Sequence, residues 1–261
     1  MSIKNKLVLL IFAFILCLSC FFLFFFDRSA QVVLQESLSQ EVQRIQEALV
    51  DLWGKEEKRL VEQVEDYAHW TDMGEKGVRG RDGQWLTENL YPWVGEQFGY
   101  EVALFTEAKE VIVASPKWEV PLENLGGAPW VGVYGDGERL YLAAFEPVTD
   151  NSGKTSYGAI LGFAQPLHGG VFDAWGKALG GRIHYRFAGK TFLGKPSWEV
   201  LPDFRYEQGK LLARVAFAGG EKELWGEFQI EREYAGPLRI YNAVRRVFLF
   251  ALLFSVLLAF F

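Results

Sequence analysis

Two uncharged apolar runs bracket this chain. One occupies residues 7–26 and the other residues 247–261, where the sequence stops. A bilayer hydrocarbon core about 30 Å thick needs roughly 20 apolar helical residues. The first run meets that length. The second falls short, so a truncated second crossing is expected, in a chain that is a fragment of a longer protein. The intervening stretch is polar and carries its own helix and strand patterns. A chain built this way folds as a domain held to a membrane at both ends.

Orientation follows from the flanks. Lys4 and Lys6 precede the first run, with no acidic residue before it. Basic flanks stay in the cytoplasm. Residues 1–6 are therefore expected inside, residues 7–26 across the membrane and residues 27–240 outside, with 247–261 returning. A cleaved signal peptide would carry small residues at its end. Here Phe21, Phe22, Leu23, Phe24, Phe25 and Phe26 stand there, which points to an uncleaved anchor. Cys17 and Cys20 both lie inside the first run, so the outer domain is expected to hold no disulfide. From Asp27 to Val244 there are 33 acidic and 23 basic residues, a net formal charge of −10. That sign repels nucleic acid, which is not expected as a partner.

Past the first run, Leu38, Val42, Ile45, Leu49 and Leu52 alternate steps of four and three, the heptad spacing. Leu60 and Val64 resume the stripe after Glu56. The run has no proline and only Gly54 as a glycine, so one long helix is expected to continue out of the membrane. Its stripe suits either the chain's own sheet or the same helix of a second subunit. A parallel homodimer seam is the expectation, because the helix leaves the bilayer before any domain exists to cover it. Residues 74–83 read as a glycine-rich loop and 85–98 as a second helix. Strands are expected at 101–105, 111–115, 139–148, 156–167, 182–187, 210–218 and 223–231. Residues 106–110, 149–153 and the pair Gly219-Gly220 supply hairpin turns, and 171–179 a short helix. The predicted fold class is α+β: a long helix continuous with the first span, one PAS-like or Cache-like antiparallel sheet with short helices, and a C-terminal transmembrane helix.

The most specific local sequence is Asp66-Tyr67-Ala68-His69-Trp70-Thr71-Asp72, at the end of the long helix. Helical spacing puts Asp66, His69 and Trp70 on one face. Polar groups beside an indole at a helix end suit a small-molecule pocket. This segment resembles the motif of the fourth class of CHASE domains, sensory domains associated with cyclases and histidine kinases. Asp66, Tyr67, Ala68, Trp70 and Asp72 match its pattern, and Thr71 stands where the first of paired aspartates is usual. Glu88-Asn89-Leu90 resembles the family's segment in the second helix, and residues 157–167 its last-strand segment. The likeness covers roughly residues 35–180. It implies an extracytoplasmic sensory input domain at the inner (cytoplasmic) membrane of a bacterium or archaeon, on its periplasmic or extracellular side. It also implies a multi-pass chain that feeds a cyclic-di-GMP enzyme or histidine kinase in the cytoplasm. Asp66, Trp70, Asp72 and Asn89 are the expected ligand-binding residues. The expected partners are an unidentified small ligand, membrane lipid and a second copy of the chain.

Other function classes find little support. His69, His168 and His184 are scattered, without the paired spacing of a transition-metal site, so no metal and no cofactor are expected. Residues 150–153 look oxygen-rich but read as a hairpin turn. Gly132, Gly135 and Gly137 lack the Lys-Ser/Thr of a phosphate loop and sit among strand residues. No Gly-x-Ser-x-Gly occurs, and no output-domain signature is present, so the chain is not expected to be an enzyme. Two alternatives stand beside the sensor: an envelope interaction module without a small ligand, and, less favoured, an extracytoplasmic enzyme.

Overall fold

The computed structural model describes residues 3–116, 118, 128–136, 139–187, 191–201, 204–219, 224–234 and 236–260. It opens with α1, Ile3–Ala68, a single unbroken helix of 66 residues. With no proline in its span, no turn loses a backbone donor. Among the described residues it is the one helix long and apolar enough to cross a membrane. Two compact units divide the chain: residues 1–44, 204–212 and 232–261 form one, residues 45–203 and 213–231 the other.

The heptad stripe has a different fate from the dimer seam expected of it. Leu38, Val42, Ile45 and Leu49 are buried within the single chain, each 4% exposed or less, and Trp53, Leu60 and Val64 continue the buried line. The chain itself satisfies this helix. In the first unit Ser37 shares a hydrogen bond with the Tyr234 hydroxyl at 3.0 Å, and Glu41 accepts from Arg232 at 2.5 Å. In the second unit Gln46 reaches the Trp198 carbonyl at 3.4 Å, and the Trp53 ring meets Trp198 and Trp175 at 5.1 and 6.0 Å. Heptad spacing marks an apolar face, and here that face is covered from within.

After α1, the stretch expected to be a loop is a π-helical turn, Met73–Arg79. Its wide turn brings Gly74 under the Tyr157 ring, where a Cβ would come within 2.1 Å of a ring carbon. The second helix splits into α2, Gly83–Asn89, and α3, Trp93–Phe98. Asp82 caps α2 by accepting from the Gln84 and Trp85 amides. Pro92 has no amide hydrogen to continue the ladder and disfavours helical geometry at Tyr91, so the pattern breaks there.

Among the described residues seven of the eleven strands correspond to the seven expected from the sequence, and the strands form two sheets rather than one. The first runs β2 (Val111–Ala114), β1 (Glu101–Thr106), β5 (Ser156–Leu167), β4 (Leu140–Thr149), β3 (Trp130–Asp136) and β7 (Thr191–Gly194). Its paired neighbours with resolved register are antiparallel. The four strands expected to share a sheet do so. Both hairpins form, the second turned by Asp150–Gly153 with Gly153 at φ 69°. Helix α4, Gly169–Ala178, is capped by the His168 ring nitrogen.

The second sheet runs β6 (Gly181–Phe187), β11 (Leu224–Glu233), β10 (Lys210–Ala218) and β8 (Ser197–Val200), with β9 (Arg205–Glu207) paired to β10. Strands β3, β7, β8 and β9 have no counterpart in the sequence reading. They are short or glycine-broken, which hides the two-residue alternation. The second sheet builds its own aromatic core, with Phe172, Trp198, Phe217 and Phe228 ring to ring at 5.3 to 5.9 Å. The turn expected at Gly219-Gly220 lies partly outside the described residues. Helix α5, Gly236–Phe260, ends the chain's described part.

Candidate functional site

Strand register divides the side chains of the first sheet between two faces. Val102, Leu104, Leu161, Phe163, Leu142, Ala144 and Glu146 share the face on which α1 lies. Tyr67 of α1 meets Phe163 at 5.4 Å, and the Tyr100 hydroxyl donates to Gln63 Oε1. Arg59 Nη2 lies 2.7 Å from Glu56 Oε2 and 3.5 Å from Gln165 Oε1. This interface therefore holds a line of polar groups inside an apolar contact.

Glu146 is the outlier in that line. It is 8% exposed on a central strand, and the charge acting on it is that of another carboxylate, Glu65 of α1. Burial, with the Glu65 charge adding to it, pushes the Glu146 carboxyl up to about 7. Sequence reasoning passed over this residue. Its signal was a lone charge within an apolar strand, Tyr141-Leu142-Ala143-Ala144-Phe145-Glu146.

The opposite face is aromatic. Phe105, Trp118, Tyr134, Tyr141 and Phe145 gather over Ala103, Ala143 and Ala164. Trp118 stacks on Phe145 at 5.6 Å and Phe105 meets it edge-on at 6.1 Å. The close approach of Phe145 requires Gly162, whose Cβ would fall 2.4 Å from the ring. Trp118 Nε1 is buried there without a hydrogen-bond partner among the described residues.

The motif residues sit where α1 ends. After Ala68 the ladder closes through the His69 amide on the Glu65 carbonyl. Thr71, the departure from the family pattern, is used structurally. Its amide and hydroxyl both donate to Asn151 Oδ1, at 2.7 and 2.9 Å. The tip of the β4–β5 hairpin thus ties down the end of the long helix. Asp150 beside it accepts from Ser152 Oγ at 2.7 Å, and the Thr155 and Ser152 hydrogen bonds hold its carboxyl below the usual range.

The four expected ligand residues are only partly gathered. Trp70 is 36% exposed and meets the Trp85 ring at 5.4 Å and Tyr67 at 6.4 Å. Asn89 donates its amide to the Trp85 carbonyl at 2.9 Å, closing the last turn of α2. Trp70 and Asn89 therefore meet through Trp85. Asp72 takes the Lys76 ammonium at 2.9 Å. Asp66 is exposed, and no described side-chain contact joins it to Trp70 or Asp72. Among the described residues no group of three His, Cys, Asp or Glu is placed to hold a metal ion.

A long membrane-type helix running into an α+β domain, with aromatic groups and carboxylates at its far end, describes a membrane-attached sensory module. The model of the CHASE4 domain matches residues 54–185, half of the chain, and the chain belongs to that family. CHASE4 is a sensory domain of the extracellular type, and its family is not a catalytic one. Neither a curated protein nor a solved structure matches the chain.

Proposed function

We propose that this chain is the extracytoplasmic input of a transmembrane signalling protein. The observation that carries the reading is the continuity of α1, which runs without a break from the apolar segment into the matched domain. A change of packing under residues 45–68 then acts on the same helix that carries the apolar run. In this reading the N-terminus is cytoplasmic, α5 supplies a second crossing, and the chain works as a homodimer in a bacterial or archaeal inner membrane. The regulated output is a cyclic-di-GMP enzyme or a histidine kinase, and the chain itself is not an enzyme. The first sheet sets β1 beside β5 in the antiparallel order β2-β1-β5-β4-β3, which supports a PAS-like or Cache-like class.

The ligand site of this proposal is the surface around Trp70, with Asp66 and Asp72 as flanking carboxylates and Asn89 setting Trp85. An exposed indole on a second indole offers a flat apolar platform, and the neighbouring carboxylates give it polar edges. The same exposure favours a second reading, a protein partner: Trp93 and Phe98 are 38% and 42% exposed nearby.

The test pairs signalling with stability. In the full receptor, Trp70→Ala should abolish the response to stimulus while lowering Tm little, because the side chain is a third exposed. Reporter fusions at residue 2 and residue 150 should fall on opposite sides of the membrane. Fusions on the same side, or a Trp70→Ala variant with full response, would remove the sensor reading. Loss of a co-purifying protein instead of a small-molecule response would favour the interaction module.

A further inference from the structure

Three aromatic side chains stand together at the surface where α1 ends. Trp70 and Trp93 are 36% and 38% exposed, and the half-buried Tyr67 ring lies 6.4 Å from each of them. Tyr67 and Trp70 stand at 89° to one another, edge to face, while Trp93 tilts by 38° against Tyr67. The right angle makes a corner of ring faces. A globular group fills a corner better than a planar one does, because it can touch both walls at once.

The face of an aromatic ring is negative and attracts a cation within about 6 Å of its centroid. The lysines and arginine nearest these rings are engaged elsewhere. Lys76 holds Asp72 at 2.9 Å, Lys58 faces Glu62 at 3.6 Å and Arg59 holds Glu56 at 2.7 Å. Among the described residues the cation that does lie over a ring is Arg79, 4.7 Å from the Tyr157 centroid. Two acids beside the rings are left over. Asp66 precedes Tyr67 and shares a helix face with Trp70. Glu96 lies one turn after Trp93 in α3. Both are exposed, and neither has a hydrogen bond or ion pair among the described residues. We propose that this surface binds a small quaternary ammonium ion, its methyl groups against Tyr67, Trp70 and Trp93 and its charge balanced by Asp66 and Glu96. The proposal rests on the reading of the Trp70 surface as the ligand site and names the class of that ligand.

Charge and wall chemistry together select this class. The outer segment carries −10, which raises the local concentration of cations and lowers that of anions. A metal ion needs several oxygen or nitrogen ligands, and among the described residues no three His, Cys, Asp or Glu are placed to supply them. A neutral ligand gains nothing from the free carboxylates. A quaternary ammonium has no N–H to satisfy, so apolar walls leave none of its groups unpaired, and its charge is spread over methyl groups that pack on ring faces.

The experiment uses the full chain in nanodiscs of phosphatidylethanolamine and phosphatidylglycerol, which carry no choline, with free choline as the probe and titration calorimetry as the readout. Choline should bind saturably. Its neutral isostere 3,3-dimethylbutan-1-ol, of the same shape without the charge, should bind roughly tenfold more weakly or not at all. Trp70→Leu, which keeps an apolar side chain and removes the ring, should weaken choline roughly fivefold, the weight of one cation–ring contact at an exposed site. Asp66→Asn should weaken it by a similar factor, and both variants should melt with the unmodified chain. Absent binding, an isostere that matches choline, or two variants that bind choline unchanged would each overturn the proposal. So would a co-purifying protein that Trp70→Leu releases from a chain giving no heat with choline, which would put a protein on this surface. The parent reading fails separately. A chain that binds choline through Trp70, in a full receptor whose output ignores choline, keeps the site and sinks the input role. A receptor whose response needs Trp70, built on a chain that ignores choline, sinks only the ammonium.

Discussion

The two faces of the first sheet solve the same burial problem with opposite chemistry. One is closed by Phe105, Trp118, Tyr134, Tyr141 and Phe145 over small residues. The other takes α1 across a contact that contains Glu56, Arg59, Gln63, Tyr100, Gln165 and Glu146. Aromatic rings over Ala and Gly interlock in one arrangement, because each ring fills a space that only a missing side chain leaves. Polar groups inside an apolar contact are bound to specific partners, and their protonation and pairing set how well the contact fits. The aromatic face therefore holds the domain together, while the face under α1 can be altered by small changes in charge. The face that can be altered is the one bearing the helix with the membrane-type run.

Emptying the rigid face should have the largest effect. Phe145→Ala removes a fully buried ring that touches Phe105, Trp118 and Trp130. It should cost about 3–5 kcal/mol of stability in denaturant titrations of the full chain. A cost under about 1 kcal/mol would mean that this face is loose and the contrast false.

The polar face should respond to pH instead. Glu146 has a folded pKa raised from 4.5 to about 7. The folded state therefore holds this proton more tightly than the unfolded chain does. The associated stability is fully present below about pH 4.5 and is lost as pH rises through about 7. Glu146→Gln should flatten that decline and raise stability at pH 8 by about 1–3 kcal/mol. A melting curve that stays pH-independent in the unmodified chain between pH 5 and 8 would break the contrast from this side.

Between the faces lies the hairpin tip that holds the helix end. Asn151→Ala deletes the acceptor for both Thr71 donors. A loss of about 1 kcal/mol is expected, with faster amide exchange confined to residues near Thr71. Exchange that quickens across the whole sheet would show that the tip supports the fold rather than the helix end alone.

Much of this architecture could be read along the chain. The uncharged run, the absence of proline and the spacing from Leu38 to Val64 specify a long helix, since those are local properties of consecutive residues. Both hairpins of the first sheet and α4 follow for the same reason, as turn chemistry separates alternating strands. The motif ending at Asp72 pointed to the family. Local pattern could not say what covers the Leu38–Leu49 stripe, because an apolar face looks the same whether its own chain or a second copy buries it. Nor could it show the split at Tyr91-Pro92 as a change of element, or the π-helical turn that places Gly74 under Tyr157. Glu146 is the clearest case. Its neighbours in sequence make it one charge in a strand, and only the packing of α1 sets Glu65 against it and removes the water that would keep it ionised. Burial and like-charge proximity are properties of residues far apart in sequence, so tertiary structure alone decides them.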